Sequence, residues 1–255
     1  MGGRHFYRTA FLNSGKLRIR REDVAIPSLP VAADGLTIVQ LTDFHGGSFL
    51  HASDLARVID ITNQLNPDLI VLTGDFLTHI TEEALEIVPA LAKLRAAKGV
   101  FAVFGNHDYR GRREGEIERA LAAVGIKTLR NRNVMIVPGL ALAGIEDLEE
   151  GKYPDFDAAL AGIHQDTTII LLSHHPAGLY FAAQRGVHLV FSGHTHGNQV
   201  QWPILKNLGP RHPGDRVVQD KTILLVSHGI GVIGVPFRAG ARPEILVAAL
   251  RRGER

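Results

Sequence analysis

The sequence predicts an α/β protein built on a largely parallel sheet. Short apolar runs rich in β-branched residues alternate with segments in which apolar residues recur at helical spacing. In addition, short polar motifs follow most of the apolar runs, as expected at the carboxyl edge of a parallel sheet. A chain of 255 residues, 45% hydrophobic and 21% charged, is large enough to bury a substantial core.

The predicted strands are short and apolar enough to be buried on both faces. They cover residues 36–41, 69–73, 100–104, 169–172, 189–192, 223–226 and 245–249. Apolar residues at helical spacing predict helices over residues 54–65, 82–95 and 116–124, with Ser53 and Thr81 as N-caps of the first two. Residues 127–144 combine short apolar runs with tight turns, which predicts antiparallel hairpins.

The chain shows neither an interdomain linker nor an internal repeat, so we expect one domain over residues 1–255. Residues 1–35 are predicted to form a basic arm and an edge strand, and residues 36–249 a core that carries the polar motifs. Six basic residues precede the first acid, Glu22: Arg4, Arg8, Lys16, Arg18, Arg20 and Arg21. We expect a solvated arm; the alternative is attraction to an anionic membrane surface.

Composition excludes several kinds of site. The absence of cysteine rules out disulfides, thiolate metal sites and thiol nucleophiles. No apolar run approaches the roughly 18 residues needed to span a bilayer, and the N-terminus lacks the apolar region of a signal peptide. A net charge of +2 without a basic stripe gives no reason to expect nucleic-acid binding. We therefore expect a cytoplasmic protein, or one peripheral to a membrane.

Five polar motifs supply the carboxylate, imidazole and amide groups that hold a pair of divalent metal ions. In chain order they are Asp43-Phe44-His45, Gly74-Asp75, Gly105-Asn106-His107-Asp108, Ser173-His174-His175 and Gly193-His194-Thr195-His196. Taken singly, Asp-x-His and Gly-Asp are common by chance, and a lone histidine after a strand is more often structural. The two tetrapeptides are more specific, and five motifs in this order favour a metal site.

The spacing within the motifs predicts how some ligands are shared. Strand side chains alternate, so Asp43 and His45 should point to the same side and bind one ion. Asp75 has two carboxylate oxygens and can bridge two ions. His194 and His196 repeat the two-residue spacing, although the flanking geometry could direct each to a different metal.

These motifs resemble those of the calcineurin-like metallophosphoesterase superfamily, whose pattern is Asp-x-His, Gly-Asp, Gly-Asn-His-Asp/Glu, His and Gly-His-x-His. The resemblance covers about residues 36–249 and implies a four-layer sandwich of two mixed β-sheets flanked by α-helices. Residues 40–45, 105–109, 193–199, 236–238 and 241–245 resemble a bacterial branch that includes membrane-associated phosphodiesterases and a lipid A pathway pyrophosphatase. Asn198 departs from that branch, which usually has glycine there, and we expect this difference to alter the loop beside the metals.

The resemblance implies a set of ligands. Asp43, His45 and His196 would hold the first metal; Asn106, His174 and His194 would hold the second; Asp75 would bridge them. His174 and His175 are adjacent, and only one should be a ligand. We favour His174, the first histidine after the apolar run. Manganese is the ion we expect in assays, while iron, zinc, nickel and magnesium also match this ligand mixture.

The implied reaction is hydrolysis of a phosphodiester or pyrophosphate by a metal-bridging hydroxide. His107 is the candidate general acid, with Asp108 holding its imidazole in the required tautomer. Arg110, His228 and Arg238 are candidate substrate-binding residues. The apolar, glycine-rich segment 229–237 is expected to be a core turn; exposed near the metals, it would suit a lipid-linked substrate.

The expected partner is a small-molecule or lipid-linked phosphoester, with peripheral membrane contact and no nucleic acid. Two alternatives remain at this stage: a protein or nucleotide phosphomonoesterase, and a non-catalytic scaffold of the same fold.

Overall fold

The described residues form two mixed β-sheets of six strands each, in the order β1-β12-β2-β3-β4-β5 and β10-β11-β9-β8-β7-β6. The structure is a computed structural model, and it describes residues 2–12, 16–201 and 212–253. The strands are β1 (Arg18–Ile26), β2 (Thr37–Leu41), β3 (Leu69–Thr73), β4 (Val100–Val103), β5 (Ile126–Thr128), β6 (Arg132–Val137), β7 (Leu140–Gly144), β8 (Thr168–Leu172), β9 (Leu189–Ser192), β10 (Arg216–Gln219), β11 (Thr222–Val226) and β12 (Glu244–Arg252).

Helices cover the outer face of each sheet. They are α1 (Gly2–Tyr7), α2 (Ala56–Gln64), α3 (Thr81–Leu91), α4 (Glu114–Ala123), α5 (Phe156–Leu160) and α6 (Gly178–Ala183). Helices α1 to α4 pack on the first sheet, and α5 and α6 pack on the second. A third core lies between the sheets and includes Val71 and Phe101 from one sheet and Leu172 and Phe191 from the other. The expected four-layer sandwich of two mixed sheets flanked by helices is thus confirmed.

Parallel pairing in the middle of each sheet directs the carboxyl ends of several strands to one edge. Strands β2, β3, β4 and β5 are parallel neighbours, as are β11, β9, β8 and β7. Residues 69–73 and 189–192 form strands with the predicted bounds. The predicted hairpin in residues 127–144 is the antiparallel pair β6 and β7.

The two predicted N-caps are wrong. Ser53 lies inside a short 3-10 turn, Ala52–Asp54, and α2 begins after it without a side-chain cap. Thr81 is the first residue of α3 and does not cap it. The Glu83 carboxylate instead fixes the chain that leads into the helix, because its Oε2 accepts the backbone N–H groups of Thr78 and His79 at 3.0 and 2.7 Å. Helix α3 also ends at Leu91 instead of Arg95, with Pro89 removing an amide donor from its last turn.

The N-terminal segment is not the solvated arm that its basic residues predicted. Tyr7, Phe11 and Leu12 are buried in the core of the first sheet. The Tyr7 hydroxyl donates to the Ile230 carbonyl at 2.5 Å, and Arg4 pairs with the buried Asp54 at 2.7 Å. Apolar burial therefore determines the position of this segment, and its charges are paired along one side of it.

Arg20 connects the two sheets in the interior. It lies on β1 of the first sheet with 4% of its side chain exposed, and its guanidinium donates to the Val226 carbonyl on β11 of the second sheet at 2.8 Å. Its Nε lies 3.2 Å from the fully buried carboxylate of Glu244. Removing the arginine would leave that carboxylate buried with weaker compensation.

We expect Arg20→Met to lower the free energy of unfolding by about 3–5 kcal/mol, because it leaves the Glu244 carboxylate buried without its closest cation. Adding Glu244→Gln should restore part of the loss by removing the uncompensated charge. Arg216→Met breaks a partly exposed pair with Glu22 and should cost about 0–1 kcal/mol. Denaturant unfolding of the variants measures this, and equal losses for Arg20→Met and Arg216→Met would contradict it.

Candidate metal centre

The predicted ligands meet where strand ends of both sheets converge. Asp43, Asp75 and Asn106 follow β2, β3 and β4 of the first sheet, while His174 and His194 follow β8 and β9 of the second. All these residues except His194 are at most 8% exposed. The topology therefore collects polar groups that are up to 151 residues apart in sequence at one edge of the sheet pair.

The ligand loops have a left-handed backbone. The φ angles are +52° at Asp43, +47° at His45, +57° at Asp75, +69° at His194 and +51° at His196. The prediction that Asp43 and His45 lie on an extended strand is therefore wrong, since β2 ends at Leu41. Non-glycine residues in this region cost on the order of 1–3 kcal/mol each and tend to occur at functional sites.

Gly74 allows two of these loops to touch. Its φ is +90°, and a side chain at this position would collide with the backbone nitrogen of Gly105. This contact brings the loop after β3 against the loop after β4, and so places Asp75 beside Asn106 and His107.

One cluster contains Asp43, His45 and His196. The Nε2 atoms of the two histidines lie 2.9 Å apart, and His196 Nε2 is 3.4 Å from Asp43 Oδ1. One candidate ligand atom from each of the three residues lies within 4.8 Å of the others.

Asp75 joins this cluster to a second one. Its Oδ2 lies 3.4 Å from His45 Nε2 and 3.3 Å from His174 Nε2. Beyond His174, the ring of His194 is 5.2 Å away, and His194 Nδ1 lies 3.3 Å from Asn106 Oδ1. One carboxylate oxygen is thus shared between the two predicted ligand sets.

The environment of His174 favours it over His175 as the ligand. Its Nδ1 lies 2.6 Å from the Thr73 carbonyl, which can only accept, so Nδ1 carries a proton and Nε2 is the nitrogen that a metal would bind. Although burial disfavours the charged ring, the Asp75 and Asp43 carboxylates raise the pKa of His174, so a cation at Nε2 would replace a proton. That Nε2 is buried, lacks a hydrogen-bond partner and faces Asp75. His175 is partly exposed, and its Nε2 lies 3.3 Å from Glu149.

His107 lies beside the first cluster. Its ring is edge-on to that of His45 with centroids 4.6 Å apart, and its Nδ1 donates to the Thr78 carbonyl at 2.7 Å. Burial lowers the pKa of His107, while the Asp75 carboxylate and the Thr78 carbonyl oppose that shift.

The expectation that Asp108 holds the His107 imidazole is wrong. The Asp108 carboxylate accepts the backbone N–H groups of Asp75, Phe76 and Gly105 at 2.8–2.9 Å. It therefore fixes the loops after β3 and β4, and the Thr78 carbonyl orients the imidazole instead.

Two of the three predicted substrate-binding residues are structural. Arg238 is 5% exposed, and its guanidinium donates to the carbonyls of His228 and His196 at 2.8 and 3.2 Å. His228 is also 5% exposed, and its Nε2 donates to Asp215 at 2.8 Å. Neither reaches the rim of the site. Arg110 is exposed and near enough to His107 to influence its pKa.

Segment 229–237 divides into two halves. Ile230 and Val232 are buried, as a core turn requires, whereas Val235 and Phe237 are 41% and 40% exposed. The buried half fits the core-turn prediction, and the exposed half does not.

Electrostatics of the site fit cation binding. Burial lowers the pKa of His45 and of His194 to about 3, so both rings are neutral at pH 7 and have a lone pair to offer. Burial raises the pKa of Asp43 to about 6 although His174 and Arg238 lower it, so an added cation would stabilise the ionised carboxylate further. Neutral imidazoles, carboxylates and the orphaned Nε2 of His174 together form a donor set suited to divalent metals.

Sequence reasoning missed three groups of the site. The carbonyls of Thr73 and Thr78 set histidine tautomers, and any residue type could supply them. Glu149 lies 3.9 Å from His194 Nε2, on a loop after β7 that has no motif. No sequence signal was available for these groups.

The family model for calcineurin-like phosphoesterases matches residues 36–198. The chain belongs to this family. The match covers the strands and loops that carry all seven predicted metal ligands. The family typically uses two divalent metals, and the ligand clusters of this chain are candidates for holding them.

Relatives within the family include both bacterial and vertebrate proteins. The uncharacterized metallophosphoesterase YkuE of Bacillus subtilis is 30% identical, over 98% of this chain and 91% of its own length. A Danio rerio transmembrane protein with metallophosphoesterase domain is 34% identical over 90% of this chain but only 57% of its own length. The chain therefore spans little more than half of that vertebrate relative.

A solved structure of the family fold supports the architecture. The crystal structure of TT1561 from Thermus thermophilus has a TM-score of 0.51 and 15% identity, covering 76% of this chain and 89% of that one. At this identity the likeness concerns the fold alone.

Some relatives are named as transmembrane proteins. Within residues 2–12, 16–201 and 212–253, no helix is both long and apolar enough to cross a bilayer. The expected peripheral membrane contact stays a prediction, which co-sedimentation with anionic vesicles would test.

We expect His174→Ala to lower the bound metal by about one ion per chain, because it removes the Nε2 that faces Asp75. His175→Ala is the matched control and should leave the metal content unchanged. Elemental mass spectrometry of the purified variants measures both. Loss of metal from His175→Ala alone would reverse the assignment.

Proposed function

We propose that the chain is a two-metal phosphoesterase that hydrolyses a phosphodiester or pyrophosphate bond. The observation that carries this proposal is Asp75 Oδ2, which lies 3.3–3.4 Å from a histidine of each ligand set and can bridge two ions. Asp43, His45 and His196 would hold one metal, and Asn106, His174 and His194 the other. When bound, the metals supply Lewis acidity for activating water and offsetting phosphoryl charge.

Manganese is the metal we propose for assays. The ligand set mixes hard carboxylate and amide oxygens with imidazole nitrogens, and manganese accepts both. Zinc and nickel favour the imidazoles more strongly, while magnesium favours the oxygens.

His107 is proposed to protonate the leaving group. The Thr78 carbonyl accepts the Nδ1 proton, so Nε2 is the atom that can carry and donate a second proton. Burial lowers the pKa of His107, and the nearby Asp75 carboxylate opposes that shift by favouring the protonated ring. The backbone N–H of His107 also donates to Asp75 Oδ1 at 2.9 Å, which holds the proposed acid at a fixed position beside the metal ligands.

The preference for diesters over monoesters is supported by the resemblance of residues 40–45 and 105–109 to a phosphodiesterase branch. We expect manganese-loaded protein to cleave bis(p-nitrophenyl) phosphate with a kcat/KM at least about tenfold above that for p-nitrophenyl phosphate. A spectrophotometric comparison of the two substrates, together with a nucleoside diphosphate sugar, measures this. The reverse preference would establish the phosphomonoesterase alternative.

If the protein failed to bind two metal ions, the alternative of a non-catalytic scaffold would be supported. All seven ligand positions are occupied by residues that can bind metal, which argues against that alternative. The same elemental analysis that tests His174 decides this question.

We expect His107→Ala to lower kcat by about 10²–10⁴-fold on an alkyl diester, whose leaving group needs a proton. On a p-nitrophenyl diester the loss should be less than about tenfold, because p-nitrophenolate leaves readily without protonation. The metal content should stay that of the wild type. Equal losses on the two esters would contradict an acid role.

A further inference from the structure

We propose that a cavity beside the second ligand set holds the substituent that stays on phosphorus, and that this substituent is an uncharged group with a flat ring, such as a nucleoside. This inference rests on the proposed phosphodiesterase function and specifies its substrate. The cavity has a volume of about 570 Å³. That size falls in the usual range for small-molecule sites.

The cavity adjoins the metal centre through two residues. His175 and Glu149 line it, and the ring of His175 lies 4.5 Å from that of the predicted ligand His194. Glu149 Oε1 is 3.3 Å from His175 Nε2 and 3.9 Å from His194 Nε2. A phosphoryl group at the metal centre could therefore extend a substituent into this cavity.

Aromatic and apolar side chains form most of the wall. Phe156 and Phe181 have ring centroids 5.1 Å apart, and Leu148 and Pro154 add further apolar surface. Phe156 is buried on α5, whereas Phe181 on α6 is 39% exposed and lies outside the core clusters. Phe181 is thus available to stack on a ligand without supporting the fold.

The charges on the wall argue against a second phosphate in the cavity. Three carboxylates line it, from Glu149, Asp155 and Asp157. The one arginine, Arg185, is paired with Asp157 at 2.8 Å and lies over the Phe156 ring. Carboxylates would repel an anion but can accept hydrogen bonds from ribose or other hydroxyls.

The position of the cavity relative to His107 distinguishes the retained group from the leaving group. His107 contacts His45 of the first ligand set, and His175 contacts His194 of the second. The leaving oxygen must lie near His107 to receive its proton. A cavity at the opposite ligand set therefore suits the other substituent, which a monoester lacks.

The test uses three esters that share the p-nitrophenolate leaving group. In each, water adds to phosphorus, the P–O bond to the aryl group breaks, and p-nitrophenolate leaves. The retained substituent is thymidine in thymidine 5′-(p-nitrophenyl phosphate), methyl in methyl p-nitrophenyl phosphate, and absent in p-nitrophenyl phosphate. We expect Phe181→Ala to lower kcat/KM for the thymidine ester about tenfold through lost stacking, and to change the other two by less than about twofold.

Two further variants serve as controls. Phe181→Tyr keeps a stacking ring and should retain wild-type selectivity. Phe6→Ala removes a half-exposed aromatic residue of α1, away from the cavity wall, and should change none of the three rates. Equal losses on the thymidine and methyl esters, or no loss on either, would overturn the proposal.

A binding measurement separates this inference from the proposed function. Saturation-transfer NMR with thymidine and magnesium-loaded protein should show contact with the thymine ring in the wild type and not in Phe181→Ala. Turnover of the methyl ester without thymidine contact would overturn the cavity assignment and leave the phosphodiesterase intact. Thymidine contact without turnover of any ester would instead refute the proposed function.

Discussion

The carboxylate of Asp75 is the group on which the rest of the site depends. One oxygen lies between histidines from different sheets, and the other accepts the backbone N–H of His107. The backbone of the same residue donates to Asp108 and accepts from His45. Asp75 thereby connects the loops after β2, β3, β4 and β8. Such a buried, shared carboxylate is costly without a cation, so the site is arranged in favour of positive charge.

The strained backbone and the buried ligands have the same physical origin. A left-handed residue at the end of a strand turns its side chain away from the strand direction, and five ligands use it. The surrounding packing must hold these conformations, and Arg238 and Asp108 do so by bonding to carbonyl and amide groups of the same loops. The charged side chains of Arg238 and Asp108 therefore stabilise the backbone of the ligand loops, and other residues would contact the substrate.

Much of the fold and most of the candidate site could be predicted, for identifiable reasons. Residues 69–73 and 189–192 are buried on both faces, so their strands read as continuous apolar runs with clear ends. The cap at Thr81 failed because the helix begins one residue earlier than predicted, with Ile80 at the N-cap position and Thr81 already inside the first turn. Asp108 and Arg238 bond to backbone amide and carbonyl groups that come near them only when the chain folds. Every residue type has these backbone groups, so the sequence does not show which ones will serve as partners.

The distribution of ligands over the sheets has a thermodynamic consequence for the whole molecule. Asp43, His45, Asp75 and Asn106 belong to the first sheet, and His174, His194 and His196 to the second. An ion held by both groups binds only when the sheets are packed, so its binding free energy adds to the cohesion between them. The melting temperature then rises with the concentration of free metal. Removing the metal with a chelator lowers the free energy of unfolding by weakening the contact between the two sheets at this edge.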